Sequence, residues 1–155
     1  MNLNDAKEIG IIYPWSSIHE ASINQFIAQL RQEGKTVQEV GYINLPKLPP
    51  TGVPEKTPSR IILCKKDLNI LKHPHGDYID DFLSNEFDLL LNLDADYLAP
   101  LQYLSAMSHA RCRAGVWHKK AEERFEIMLS NPESRMEDLI LQFDHYLRKI
   151  GHAGK

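Results

Sequence analysis

Cysteine is scarce in this 155-residue chain: Cys64 and Cys112 stand alone, without CxxC spacing. A disulfide framework and a cysteine zinc ribbon are thereby excluded, and two thiols set among apolar residues are expected to be buried in a reducing compartment. Long apolar runs are missing too. None approaches the ~18 residues of a spanning helix, and the opening MNLNDAKEIGIIYPW has no basic segment leading into an apolar signal core. The expectation is a cytoplasmic protein with no membrane contact. Net charge is small, with 18 basic against 21 acidic residues and a balance of -3. That is too mild for a nucleic-acid footprint or for attraction to anionic lipid, which leaves a small molecule, a protein or a second copy as the expected partner. Neither GxGxxG nor GxxxxGK[ST] occurs, so no glycine-rich loop admits a dinucleotide or phosphate closely, and no cofactor is expected. The seven histidines accompany no nucleophile signature, and no triad is expected.

What is present is a hydrophobic period that switches repeatedly between strand and helix spacing, as in alternating βαβ architecture. The clearest unit is NEFDLLLNLDADYLAPLQYLSAMSHARCRAGVW, residues 85–117, which reads as strand, polar loop, helix and strand. Strands are expected at 8–13, 37–43, 60–64, 87–93, 112–116 and 125–129. Ser17 is a candidate cap for a helix carrying Ile23, Phe26, Ile27 and Leu30 on one stripe, and Gly34 ends it. Five prolines in residues 45–59 forbid a helix there, so that stretch is a surface connection within one domain spanning 1–155. A short helix fits 77–84, and Pro100 suits the first turn of the next. Met136, Leu139, Ile140, Phe143, Leu147 and Ile150 form the apolar stripe of a closing helix.

Right-handed crossovers restrict this string to a three-layer, Rossmann-like α/β sandwich. Its sheet is mostly parallel, of five to six strands, in the order 3-2-1-4-5 with the sixth at the edge. The chain reverses direction between strands one and four, so the crevice lies between residues 14–20 and 92–97. These loops supply Trp15, Ser16, Ser17, His19 and Glu20 on one side, and Asn92, Asp94 and Asp96 on the other. Asp94 and Asp96 fit acid–base work or Mg²⁺ binding, or else a solvated loop and a helix cap. Trp15 and Trp117 form an apolar wall or close the core. Lys65 and Lys66 follow the third strand, as an anion site or as the charged edge of a turn. Arg111 and Arg113 alternate about Cys112 and project to the same side, toward a carboxylate or phosphate ligand or toward an internal acid. His73 and His75 flank Pro74 at a spacing that fits one metal ion. No third ligand accompanies them, and no metal is expected.

The segments CKKDLN (64–69), DDFLSNEFDLLLNL (80–93) and LSAMSHARCRAGV (104–116) resemble a family of short bacterial α/β proteins without an established activity. The resemblance spans about residues 8–150 and implies a fold but no mechanism. A more distant resemblance is to the N-terminal half of glycosyltransferase family nine, the heptosyltransferases. There a strand of the type YDLVIDLQ leads through a helix to SGAKRRIGF, and FDLLLNLD and SHARCRAGV are similar. That family's first strand precedes a loop like SSLGDVL, whose acid acts as base. SSIHEAS (16–22) overlays it, with Glu20 at the acid position and His19 in place of glycine. The longer acid and the lost glycine both depart from the family pattern. A donor-binding half of such an enzyme has no room in 155 residues, so the resemblance implies an acceptor-like half alone.

Two functions follow. The first is a non-catalytic ligand-binding or protein-interaction module, with self-association covering surface that a second half would bury. The alternative is a small enzyme acting on a sugar or phosphorylated metabolite. It would use Glu20 or Asp94 as base, with Lys65, Lys66, Arg111 or Arg113 neutralising an anion.

Overall fold

The computed structural model describes residues 2–121, 125–130 and 132–150. A six-stranded sheet is built from β1 (Glu8–Pro14), β2 (Thr36–Tyr42), β3 (Arg60–Leu63), β4 (Leu89–Asn92), β5 (Arg113–Val116) and β6 (Ile127–Leu129). Its order is β3-β2-β1-β4-β5-β6. Every neighbouring pair is parallel. Four α-helices cover it: α1 (Glu20–Gln32), α2 (Asp77–Ser84), α3 (Ala99–Met107) and α4 (Met136–Lys149). No helix of the described residues is long and apolar enough to cross a membrane.

Burial on both faces explains the continuous apolar character of the strands. Ile9, Ile11 and Tyr13 of β1 pack with Phe26, Ile27 and Leu30 of α1 and with Leu139, Ile140 and Phe143 of α4. Residues of opposite parity, Ile12, Val40, Tyr42, Ile61, Leu63 and Leu90, meet Ile79 and Phe82 of α2 and Leu101 and Leu104 of α3. The period of two along each strand thus serves two helical layers at once. Cys64 and Cys112 are both buried free thiols just outside β3 and β5.

Several boundaries differ from expectation, β4 among them at Leu89–Asn92 instead of 87–93, and two of the differences have packing reasons. The last strand begins at Ile127 instead of residue 125, because the buried Phe125 lies against the backbone of Gly115, where an added Cβ would be 2.6 Å from the ring. The first helix begins at Glu20 with His19 at its cap position and no side-chain cap bond, so Ser17 does not cap it. The exposed Ser17 lies in a turn held by its neighbours: Ser16 Oγ accepts from the Ile18 N–H at 3.2 Å. Gly34 ends α1 as expected, at φ 86.

At the amino edge of the sheet, Asp88 ties β4 to β1. Its Oδ2 accepts from the Lys7 and Glu8 N–H groups at 2.8 and 2.9 Å. These bonds favour the ionised form and hold the Asp88 carboxyl below the usual aspartate range. Its stabilising contribution is therefore present above the ordinary carboxylate pKa and is lost as pH falls through the lowered folded value. Denaturation of Asp88→Asn from neutral pH to about pH 2 is expected to show a flatter acid limb than the parent. Gly115→Ala is expected to lose about 1–3 kcal/mol in urea unfolding, since the Phe125 ring must move to admit the methyl group.

Candidate functional site

The carboxyl ends of the parallel strands converge on one edge, where β1 has its two neighbours β2 and β4 connected through opposite helical layers. Ligand crevices of open α/β sheets form at such a reversal. Its floor is a buried polar group of four residues. Asn92 ends β4 at 1% exposure and donates through Nδ2 to Ser105 Oγ of α3 at 2.9 Å. Asn92 Oδ1 accepts from the Asp94 N–H at 3.0 Å. Asp94 accepts from the Asp96 N–H at 2.9 Å through Oδ1 and from the Leu98 N–H at 2.6 Å through Oδ2. The buried Gln102 amide lies beside this carboxylate and favours its ionised form.

Asp94 is 3% exposed, and burial is the foremost reason that its pKa lies above the usual aspartate value; the hydrogen bonds from Leu98, Asp96 and Gln102 pull the other way. In its position it satisfies the backbone entering α3, while Asp96 points to an exposed part of the loop.

Across the crevice, the β1–α1 loop is organised by His19. Its Nε2 lies 2.6 Å from the Pro14 carbonyl, which can only accept, so this nitrogen carries the proton and Nδ1 is left to accept from Ser16 Oγ at 3.2 Å. His19 has φ -116, so glycine's freedom is not needed there. Glu20 follows, half-buried in the first turn of α1, near enough to Tyr13 to act on it electrostatically. Trp15 donates its N–H to the Tyr42 carbonyl at 2.9 Å, and its ring packs against two core clusters; its indole Nε1 is buried without a partner. Trp117, after β5, is 43% exposed at the same edge.

The cations are divided. Lys65 and Lys66 are exposed in a 3₁₀ turn (Lys65–Asp67) after β3, at the carboxyl edge. Arg111 and Arg113 lie at the start of β5, at the amino edge, and the structure does not bring them to the crevice. Arg111 faces Asp88 at 3.9 Å and Arg113 faces Glu126 at 3.4 Å, the internal acids that stood as the alternative to a ligand. A basic face uniting them with Lys65 and Lys66 is therefore not formed. The His73 ring stacks on Tyr103 at 4.0 Å. Among the described residues no group of three or more His, Cys, Asp or Glu is placed to hold a metal ion.

Two features escaped sequence reasoning. Gln102 and Ser105 are polar residues on the sheet-facing stripe of α3 beside Leu101 and Leu104, and that misplaced polarity was their signal. Glu39 is 3% exposed in β2 and accepts from Tyr13 Oη at 2.7 Å. Burial, then the neighbouring Glu39, push the Tyr13 hydroxyl well above its ordinary pKa. A carboxylate inside an otherwise apolar strand was the sign there.

Sheet order and crevice together define a Rossmann-like α/β protein. The chain belongs to a family of unknown function (DUF6913), which matches residues 1–150. Its fold is similar to the crystal structure of the glycosyl transferase family 9 from Veillonella parvula DSM 2008, at TM-score 0.56 and 13% identity. The likeness covers 98% of this chain and 43% of that one, and at this identity it is a likeness of fold alone. No curated protein matches the chain.

Asp94→Ala is expected to destabilise by about 1–3 kcal/mol, because the Asp96 and Leu98 N–H groups lose their acceptor. Asp94→Asn keeps one oxygen acceptor and removes the buried charge. With the folded pKa raised, the stability that Asp94 contributes is full below the ordinary aspartate pKa and declines as pH rises through the folded value. Thermal unfolding across pH should show that decline in the parent and its absence in Asp94→Asn.

Proposed function

We propose that the protein is a non-catalytic interaction module that docks through the carboxyl edge of its sheet onto a second copy of itself. The observation that carries this reading is where the large exposed apolar side chains fall. Of nine such side chains among the described residues, five lie in loops of one edge, Ile18 after β1, Leu45 after β2, Ile70 and Leu71 after β3 and Trp117 after β5, while Tyr78, Met107, Leu141 and Tyr146 are spread over α2, α3 and α4. Ile18 is 92% and Ile70 95% exposed, and covering such a side chain fully is worth about 1.5–3 kcal/mol. Exposed apolar side chains gathered at one edge are what a protein-contact surface offers.

Self-association is favoured among occupants for two reasons. The chain spans 43% of the glycosyl transferase structure whose fold it shares, so in that longer protein a unit of this size has more than its own length of chain beside it. A second copy supplies comparable cover, and two-fold pairing brings the same patch from each side. A net charge of -3 sets little repulsion against it.

The alternative reading, a small enzyme acting on a sugar or phosphorylated metabolite, draws on the burial that raises the Asp94 pKa, as in general bases. Against it stands the occupation of both Asp94 oxygens by backbone N–H groups, which aims the carboxylate at its own loop. Glu20 offers no buried partner for acid–base work beyond its influence on Tyr13.

Light scattering over a concentration series is expected to show a dimer whose dissociation constant rises at least about tenfold in Ile18→Ser combined with Ile70→Ser. Both side chains are exposed, so the fold should survive and circular dichroism should be unchanged. A monomer at every concentration would contradict the proposal.

A further inference from the structure

Beside the polar floor lies a cavity of about 300 Å³, lined by Leu71, Lys72, His73, Tyr97, Gln102 and Tyr103 together with two alanines. Three independent features meet in it. The first is aromatic: the His73 ring stacks on Tyr103 at 4.0 Å and both line the space, as does Tyr97, whose ring is stacked on His118 at 4.1 Å. The second is an unanswered acceptor. Gln102 is 4% exposed, and its Oε1 is a buried oxygen without a hydrogen-bond partner. Buried polar atoms are nearly always paired, and an exception in a cavity wall marks a place for a ligand donor.

The third feature is backbone. Lys72 at φ 65 and Tyr97 at φ 58 are the non-glycine residues with left-handed backbone among those described, and both line this cavity. Such conformations cluster where surrounding structure holds a binding site in shape. Lys72 adds the one cation of the lining, exposed at the mouth.

From these features we infer that the cavity binds a planar nitrogen heterocycle that stacks on the His73–Tyr103 and Tyr97 rings, donates an N–H to Gln102 Oε1 and carries an anionic substituent toward Lys72. Ring faces attract any flat π-system, the amide oxygen selects one with an N–H or amino donor, and the lysine adds charge preference. A mononucleotide has all three elements, and the volume sits at the lower end of small-molecule pockets. The site is formed within one copy and shares only Leu71 with the docking rim, so nucleotide binding and dimerisation are read by separate measurements.

The test is a titration of the full chain with AMP, GMP and UMP, each to about 5 mM, followed by NMR of the His73 ring and the Gln102 side-chain amide. Ribose 5-phosphate serves as the ring-less control. At least one nucleotide should shift both resonances saturably while ribose 5-phosphate leaves them in place. Gln102→Met, close in shape, should weaken that binding about tenfold or more, and Tyr103→Leu should do the same without touching the buried network. Silence with all three nucleotides would overturn the inference. So would equal binding by ribose 5-phosphate, or undiminished affinity in Tyr103→Leu with the fold intact. A dimer measured alongside a silent titration would overturn only the ligand site.

Discussion

The carboxyl edge depends on the burial of one carboxylate. Asp94 leaves β4 at the point where strand order reverses, and its two oxygens hold the Asp96 and Leu98 N–H groups beside the Gln102 amide of α3. Taking that charge from water is costly, and only several simultaneous hydrogen bonds offset the cost. The result couples a strand end, a loop and a helix into one unit. Asn92 and Ser105 extend it toward the sheet, so the loop after β4 is held from beneath as well as from within. Tyr97 takes its left-handed backbone two residues before the start of α3, inside the span that Asp94 bridges.

A rigid floor changes what the surrounding side chains can do. Carboxylates consumed by backbone are unsuited to moving protons for a substrate, whereas the same rigidity preorganises a surface for binding. On one side of the floor the rings of His73, Tyr103 and Tyr97 line a cavity; around it Ile18, Leu45, Ile70, Leu71 and Trp117 form an apolar rim. Internal order and external apolarity thus coincide at the edge where α/β folds place their ligands. The opposite edge is occupied differently: Asp88, Arg111, Arg113 and Glu126 pair among themselves and with backbone, leaving charges that serve the fold.

Much of the fold was legible in periodicity. Alternating strand and helix spacing yielded the six strands, their order and the closing helix, because both faces of a parallel sheet need apolar cover. Chain order alone also placed Arg111 and Arg113 at the amino end of β5, away from the crevice, where the internal acids Asp88 and Glu126 meet them. Where sequence failed, a tertiary partner decided. Ser17 was a reasonable helix cap until His19 bound the Pro14 carbonyl and started α1 two residues later. Phe125 looked like strand until its ring found the bare backbone of Gly115. Asp94 and Asp96 were indistinguishable as a pair in sequence, yet one is buried and bonded and the other exposed, a difference made by α3 lying across only the first. The site's other members, Gln102 and Tyr103, lie on a helix that read as ordinary core.

The claim at the centre of this account is that the carboxyl edge is the binding face. Amide hydrogen exchange, followed as protein concentration rises from dilute to dimer-forming, tests it most directly because it reports where protection appears. The account predicts added protection in residues 15–19, 44–48, 68–76 and 117–119, with the α1–α4 face unchanged. Protection confined to the α1–α4 face, or none at any concentration, would contradict it.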